Sequence, residues 1–261
     1  MPDVRLGDVN LYYELIDCSE PWRSGNPPAV LLHGLGTDRR LWLYQVPALC
    51  PRLPVLAVDL RGHGRSSAPD GEWTIADMAR DVVRLLRHLG AEKAHLIGLS
   101  MGGMVAQQFA LDYPYATASL VLADTASRVD PDAARDGLAF MAAHSMREIA
   151  TARITTAFSD AVNPLMRGHV IEQAALNDKD AYLQAARAVF GFDVWSRLDE
   201  IAAPALVVLG EADRTFPHER MVEVASGIRG ARLVRLAGAG HISNMERPQE
   251  FNRAVLDFLG V

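Results

Sequence analysis

Residues 93 to 112 read KAHLIGLSMGGMVAQQFALD. The apolar run at 93 to 98 predicts a buried strand, and the residues from about 101 to 112 predict a helix that begins directly after it. Between them, Gly98-Leu99-Ser100-Met101-Gly102 matches the pattern G-x-S-x-G. A serine in such a turn holds strained backbone angles, and the small residues around it let neighbouring strands approach closely. We therefore predict that Ser100 exposes its hydroxyl at a sheet edge, beside the positive end of a helix.

Short apolar runs alternate with helical patterns on both sides of this turn. Unbroken apolar runs are typical of strands that a parallel sheet buries on both faces. Residues 9 to 16 predict the second arm of an opening hairpin, and the clearest helix spans 75 to 89, where Thr74 and Asp77 resemble a capping box. The chain is therefore predicted to have an α/β fold, with a mostly parallel sheet flanked by helices. The other apolar runs lie at 29 to 32, 54 to 60, 118 to 123, 205 to 209 and 231 to 236.

The alternation lapses between about residues 127 and 200, where the sequence is rich in alanine and other helix formers. Asp130-Pro131 and Ala203-Pro204 border this region, and both dipeptides favour a break in a helix. We predict three segments: a first core segment at 1–126, an inserted helical cap at 127–200 and a second core segment at 201–261.

Composition argues against several classes of protein. The chain has 261 residues, of which 49% are hydrophobic and 22% charged, as in ordinary globular proteins. Its formal net charge is −6 and it has no basic run, which argues against nucleic acid or a membrane surface as a partner. Cys18 and Cys50 lack CxxC spacing, so we predict no disulfide framework and no zinc site. The other histidines have no ligand-like spacing, and we predict no metal and no cofactor. The N-terminus lacks the apolar stretch of a signal peptide, which predicts a cytoplasmic protein.

A serine hydroxyl is a poor nucleophile at neutral pH, so Ser100 needs a base that is itself oriented by an acid. Of the eight histidines, His241 is the best candidate for the base. It follows the run at 231 to 236 and a glycine-rich turn, which places it at the carboxyl edge of the predicted sheet, where sites collect.

Asp213 is the candidate acid because it follows the run at 205 to 209 at the same edge. The resulting order along the chain is Ser, Asp, His. Two other carboxyl groups remain alternatives: Glu211 lies two residues away, and Asp124 follows another apolar run.

An acyl-transfer serine also needs N–H donors for the oxyanion of its tetrahedral intermediate. The start of the helix supplies the N–H of Met101, and we predict the N–H of Leu35 as the second donor, within His33-Gly34-Leu35-Gly36. Interpreted as a dinucleotide-binding motif, this stretch lacks its third glycine, because position 39 is Arg. The charged stretch DLRGHGRS at 59 to 66 is interpreted as structural, with its side chains holding the loop together.

Several motifs together resemble the α/β-hydrolase superfamily. They are HGLG at 33 to 36, DLRGHGRS at 59 to 66, GLSMGGM at 98 to 104, GEAD at 210 to 213 and GAGHISNMERP at 238 to 248. Within the superfamily, the extended serine motif, LVLADTA at 120 to 126 and HISNMERP are most similar to 3-oxoadipate enol-lactonases. The resemblance implies Ser100 as nucleophile, His241 as base and Asp213 as orienting acid. It also implies an oxyanion hole formed by the N–H groups of Leu35 and Met101.

These features predict a serine hydrolase that cleaves the ester or lactone bond of a small molecule through an acyl-enzyme, with 3-oxoadipate enol-lactone as the best named substrate. A general carboxylesterase and a cofactor-free perhydrolase use the same triad, and a receptor-like ligand-binding homologue would keep the same fold. A carboxylated substrate needs an arginine, for which Arg153, Arg167 and Arg187 are candidates, with Trp195 as a further substrate contact.

Overall fold

The structure, a computed structural model, describes residues 3–18 and 25–261 and contains an eight-stranded sheet. The strands are β1 (Asp3–Leu6), β2 (Val9–Ile16), β3 (Ala29–Leu32), β4 (Val55–Val58), β5 (Ala94–Leu99), β6 (Thr117–Ala123), β7 (Ala205–Gly210) and β8 (Arg232–Leu236). They lie in the order β1-β2-β4-β3-β5-β6-β7-β8. The β1–β2 and β2–β4 pairs are antiparallel, and the other pairs are parallel. This confirms the predicted α/β fold and its opening hairpin.

Strands β3, β4 and β7 are buried on both faces of the sheet. Every residue of β3, β4 and β7 is buried, as their continuous apolar runs predict. Successive side chains of β3 enter separate cores: Val30 packs in one with Phe109, and Leu31 packs in the other with Phe251. Helices therefore cover both faces of the sheet.

Helices fill the connections between the strands. The start of the helix at 75–88 has the expected capping box: the Thr74 side chain accepts from the N–H of Asp77 at 3.3 Å, and the Asp77 carboxylate accepts from the N–H of Thr74 at 2.9 Å. Within residues 3–18 and 25–261, every helix is too short or too polar to cross a bilayer. The helices are α1 (Val46–Leu49), α2 (Ile75–His88), α3 (Met101–Asp112), α4 (Pro131–Ala143), α5 (Met146–Ala157), α6 (Pro164–Ala174), α7 (Lys179–Phe190), α8 (His218–Gly227), α9 (Ser243–Glu246) and α10 (Pro248–Leu259).

Four of these helices, α4 to α7, lie between β6 and β7 and form what we call the helical insertion. Helices α4 and α5 are separate because a second capping box starts at Ser145, whose side chain accepts from the N–H of Glu148 at 3.3 Å. An antiparallel β-bridge joins Arg128, just before α4, to Asp193, just after α7. The insertion therefore enters and leaves the core at neighbouring points.

The charged stretch at 59–66 holds the loop after β4 in place, as its structural interpretation predicts. The buried carboxylate of Asp59 accepts from the N–H groups of Arg39 and Arg65, each at 2.9 Å. Oδ2 of Asp59, which accepts from Arg65, also lies 3.0 Å from Nη1 of Arg39. One carboxylate thus ties together the loops that follow β3 and β4.

The bidentate ion pair between Arg61 and Asp81 gives a test of this part of the fold. Both side chains are buried, and the two N–O distances are 2.7 and 2.9 Å. We expect Asp81→Ala to lower the free energy of unfolding by about 3–5 kcal/mol, because it leaves a buried guanidinium without its main partner. The matched control is Glu172→Ala, which removes an exposed bidentate pair with Arg147 and should leave stability nearly unchanged. Equal effects in urea unfolding would contradict this assignment.

Candidate active site

The turn between β5 and α3 holds Ser100 in a strained conformation. Its backbone angles are φ 54° and ψ −115°, in the region that non-glycine residues rarely adopt. Residues at the end of β6 and just after it hold the backbone of Ser100 through two hydrogen bonds. The N–H of Ser100 donates to the carbonyl of Ala123 at 2.9 Å, and its carbonyl accepts from the hydroxyl of Thr125 at 2.7 Å. The serine therefore stands at the carboxyl edge of the sheet, directly before a helix N-terminus.

Glycines at two positions allow this turn to close. A Cβ atom at Gly98 would lie 2.2 Å from the carbonyl oxygen of Gly102. A Cβ atom at Gly102 would lie 1.9 Å from the carbonyl oxygen of Leu32, the last residue of β3. Both contacts are with backbone that no rotamer change can move. The close approach expected from G-x-S-x-G is therefore present at both glycines.

Asp213 and His241 form a buried hydrogen-bonded pair. Nδ1 of His241 lies 2.8 Å from Oδ2 of Asp213, and the other oxygen of Asp213 accepts from the N–H of Thr215 at 2.6 Å. Only 7% of Asp213 and 6% of His241 is exposed. Burial alone would lower the pKa of His241, but the charge of Asp213 and its hydrogen bond raise that pKa above the ordinary value. Glu211, the alternative acid two residues away, is exposed.

Sheet topology explains why residues so distant in sequence share one edge. Ser100 follows β5, Asp213 follows the end of β7, and His241 follows β8. These strands are parallel and β6 lies between β5 and β7, so their carboxyl ends meet at the same edge.

The loop after β3 brings Leu35 close to Ser100. A Cβ atom at Gly34 would lie 3.4 Å from Cβ of Ser100, so the loop runs directly beside the serine turn. In the part of the chain that the structure describes, the N–H groups of Leu35 and Met101 donate no hydrogen bond. Two backbone donors near Ser100 thus remain free to bind an anionic oxygen.

His33 holds the same loop in shape. Its Nδ1 lies 2.8 Å from the carbonyl of Gly34, and its Nε2 accepts from the N–H of Leu60 at 3.0 Å. Burial lowers the pKa of His33 to about 4, so the ring is neutral at pH 7 and Nδ1 carries the proton. His33 therefore has a structural role beside the site.

Of the four predicted substrate contacts, Arg153 is the one whose charge reaches the site. It lies on α5 and is half-buried, and its charge acts on both His241 and Tyr182. Among residues 3–18 and 25–261, its guanidinium has no hydrogen-bond or ion-pair partner. An unpaired guanidinium near a buried histidine is a candidate binding group for an anion.

The structure gives the other three predicted contacts different partners. Arg167 donates to the carbonyl of Ser159 at 3.0 Å. Arg187 contacts the amide oxygen of Gln184 at 3.3 Å. Trp195 is 47% exposed, with the guanidinium of Arg128 stacked 4.3 Å above its ring. We therefore retain Arg153 alone as a candidate substrate contact.

Two residues of the helical insertion that sequence reasoning missed contact the loop carrying Leu35. The amide of Asn177 donates to the carbonyl of Gly36 at 2.8 Å, and the ring of Tyr182 packs so closely that a Cβ atom at Gly36 would lie 2.8 Å from its Cε2. Tyr182 also packs in a small cluster with Ile149, against which Leu35 lies. The sequence carries no local signal for these contacts, because they depend on how α7 docks on the core.

The end of α5 is fastened to the loop that carries His241. The N–H of His241 donates to the carbonyl of Ala157 at 2.7 Å. The carboxylate of Glu246 accepts from the N–H of Gly240 at 2.9 Å and from the N–H of Ser159 at 3.2 Å. Arg153 and His241 are therefore held on segments that are joined directly to each other.

Side chains of the types that bind metal ions are not grouped as in a metal site in the described ranges. The described ranges contain no group of three or more His, Cys, Asp or Glu residues placed to hold a metal ion. The arrangement at the sheet edge consists of a strained serine, a histidine–carboxylate pair, two free N–H donors and one unpaired cation. Such a set can activate a hydroxyl for attack on a carbonyl and stabilise the resulting oxyanion.

Comparisons with known proteins show which family and which relatives this chain is similar to. Residues 29–254 match the model of the Alpha/beta hydrolase family. The chain is 29% identical to 3-oxoadipate enol-lactonase 2 of Acinetobacter baylyi, over 89% of this chain and 88% of that protein. It is 35% identical to a putative carbamate hydrolase RutD of Variovorax paradoxus, over 88% and 91% of the two chains. The crystal structure of the enol-lactonase from Burkholderia xenovorans LB400 is similar over 100% of this chain and 100% of that chain, with 31% identity and a TM-score of 0.93.

Gly102 and Gly168 provide a matched test of the serine turn, because both lie within helices. We expect Gly102→Ala to lower the free energy of unfolding by about 3 kcal/mol or more, because its Cβ atom would overlap the backbone of β3. At Gly168, an added Cβ atom meets nothing within 4 Å. Gly168→Ala should therefore raise stability by about 0.5–1 kcal/mol. Urea unfolding measures both variants, and a harmless Gly102→Ala would refute the close approach.

Proposed function

The chain belongs to the alpha/beta hydrolase family, and we propose that it is a serine hydrolase that cleaves the ester or lactone bond of a small molecule. One observation carries the proposal: the buried hydrogen bond of 2.8 Å between His241 and Asp213 lies at the sheet edge where Ser100 is held in strain. A histidine oriented in this way is suited to accept a proton from a serine hydroxyl.

In the proposed mechanism, the hydroxyl of Ser100 attacks the carbonyl carbon while Nε2 of His241 takes its proton. Asp213 keeps the proton on Nδ1 and stabilises the imidazolium that forms. The N–H groups of Leu35 and Met101 bind the oxyanion of the tetrahedral intermediate. Collapse of that intermediate expels the alcohol or enol oxygen, which receives the proton from His241. Water then hydrolyses the acyl-enzyme, with His241 again acting as base.

The substrate proposed is an ester or lactone that carries a carboxylate. Arg153 supports it, because this half-buried cation acts on His241 and has no partner of its own within the described ranges. 3-Oxoadipate enol-lactone is the named candidate, since relatives in sequence and in structure bear the name enol-lactonase. We propose that residues 127–200 act as a cap that selects the substrate, while the core segments at 1–126 and 201–261 perform the chemistry.

A carbamate is the second candidate substrate, because the relative from Variovorax paradoxus is named a putative carbamate hydrolase. General carboxylesterase and perhydrolase activities would use the same three residues. A receptor-like protein, by contrast, would bind such a molecule without turning it over.

Ser100→Ala tests the nucleophile. We expect it to lower kcat for a chromogenic short-chain ester by at least about 10³-fold, because the attacking oxygen is removed. Its stability should be little changed. Ser226→Ala removes an exposed hydroxyl from α8 and serves as the control, with wild-type turnover expected. Unchanged turnover in purified Ser100→Ala would falsify the proposed function.

Arg153→Met tests the substrate class. For a monoaryl ester of a dicarboxylic acid, we expect KM to rise about 10-fold or more, because charge-assisted hydrogen bonds to the carboxylate are lost. KM for the neutral aryl ester of equal acyl length should stay near the wild-type value. Arg187→Met is the matched control from α7 and should affect neither substrate. A rise in KM that is equal for charged and neutral esters would argue for a neutral substrate.

A further inference from the structure

Asp124 is a buried acid at the site that the mechanism above leaves unused. It directly follows β6, between the strand that leads to Ser100 and the strand that leads to Asp213. Its φ angle is 45°, and in the described part of the chain only Ser100 and Asp124 have a positive φ among non-glycine residues. Such a conformation costs free energy and is retained where the surroundings impose it. The two strained residues follow adjacent strands.

The carboxyl group of Asp124 joins the two loops that carry the acid and the base. Oδ1 accepts from the N–H of Gly210 at 2.8 Å, and Gly210 in turn accepts from the N–H of Asp213 at 3.1 Å. Oδ2 is hydrogen-bonded to the hydroxyl of Ser243, two residues after His241. Asp124 and Ser243 are both fully buried.

We propose that Asp124 is a positioning residue for the triad. It acts through Gly210 and Ser243 to hold the Asp213–His241 pair in position relative to Ser100. The proposal rests on the proposed serine hydrolase function. It differs from the sequence-based alternative in which Asp124 is itself the acid bonded to His241, because Nδ1 of His241 contacts Asp213.

The charges around Asp124 add a pH dependence to this role. Burial, followed by the nearby charge of Asp213, raises the pKa of Asp124 to about 7. The charged groups that act on this carboxyl are Asp213 and His241, and Arg153 acts on His241 from α5. Ionised Asp124 raises the pKa of His241, so the imidazole keeps its proton to a higher pH than with Asp213 alone. The protonation states of Asp124 and His241 therefore depend on each other.

Asparagine separates the geometric role of Asp124 from its charge. Its amide oxygen can accept from the N–H of Gly210, and its NH₂ group can donate to the hydroxyl of Ser243, as a protonated aspartic acid would. Asp124→Asn thus preserves both contacts while removing the negative charge. Ser243→Ala removes one contact and leaves the acid in place.

The test measures kcat and KM against pH with a chromogenic ester for Asp124→Asn and Ser243→Ala. For Asp124→Asn, we expect the kcat at the pH plateau to stay within about 3-fold of wild type, because its hydrogen bonds are kept. The acid limb of kcat/KM should move to lower pH by ~0.5 unit, because a neutral histidine is required and its pKa falls when a neighbouring negative charge is removed. For Ser243→Ala, kcat should fall about 10-fold with little change in KM, because only the position of the base is disturbed.

Two further variants control the experiment. Ser119 lies on β6 away from the site, and its buried hydroxyl is hydrogen-bonded to His95. Ser119→Ala should leave kcat unchanged. Asp213→Asn should lose about 10⁴-fold in kcat, because the histidine takes the wrong tautomer.

Specific outcomes overturn the proposal. An unmoved acid limb in Asp124→Asn, or a Ser243→Ala variant that behaves like Ser119→Ala, would show that Asp124 is structural only. A loss in Asp124→Asn as large as that in Asp213→Asn would make Asp124 the triad acid. Failure of the serine hydrolase function appears separately, as retained activity in Ser100→Ala.

Discussion

The contact between α3 and the end of β3 is the constraint on which the candidate site depends. The backbone of Gly102 lies so close to the carbonyl of Leu32 that no side chain fits between them. This approach sets the start of α3 beside the loop after β3, and so brings the N–H groups of Met101 and Leu35 to the same serine. The strain at Ser100 follows, because the chain must turn from strand to helix within one residue while the helix stays pressed against the sheet. The cost is met by the packing of the buried sheet around the turn.

A second constraint is the burial of charge at the carboxyl edge of the sheet. Asp124, Asp213 and His241 are all at least nine-tenths buried, where an unpartnered charge would be costly. Each carboxyl group instead accepts at least two hydrogen bonds, and Asp124 links the segments that carry Asp213 and His241 through Gly210 and Ser243. The low polarity of the surroundings strengthens these interactions. The burial that raises the pKa of Asp124 therefore also makes the geometry of the Asp213–His241 pair rigid.

The helical insertion is fastened to both halves of the site. At one end, Glu246 and the carbonyl of Ala157 join α5 to the loop that carries His241. At the other, Asn177 and Tyr182 hold the loop that carries Leu35. A change in the position of the insertion would therefore move His241, the loop that carries Leu35, and Arg153 together. In the proposed enzyme, substrate choice and catalytic geometry are thus linked through the same hydrogen bonds.

Local sequence patterns determined the strands, the serine turn and the shared edge of the sheet. Apolar runs report burial on both faces of a strand, and G-x-S-x-G reports a turn that only small residues allow, so Ser100, Asp213 and His241 could be assigned to one edge from the order of the runs alone. Only the tertiary structure decided which arginine reaches the histidine, and that Tyr182 and Asn177 contact the loop after β3. It also showed that Asp124 is strained and hydrogen-bonded to the segments that carry Asp213 and His241. The physical reason is that a periodic pattern records which face of an element is buried. The contacts of Arg153, Tyr182 and Asn177 depend instead on how the helical insertion docks on the core, and those of Asp124 on how the segments after β6, β7 and β8 meet.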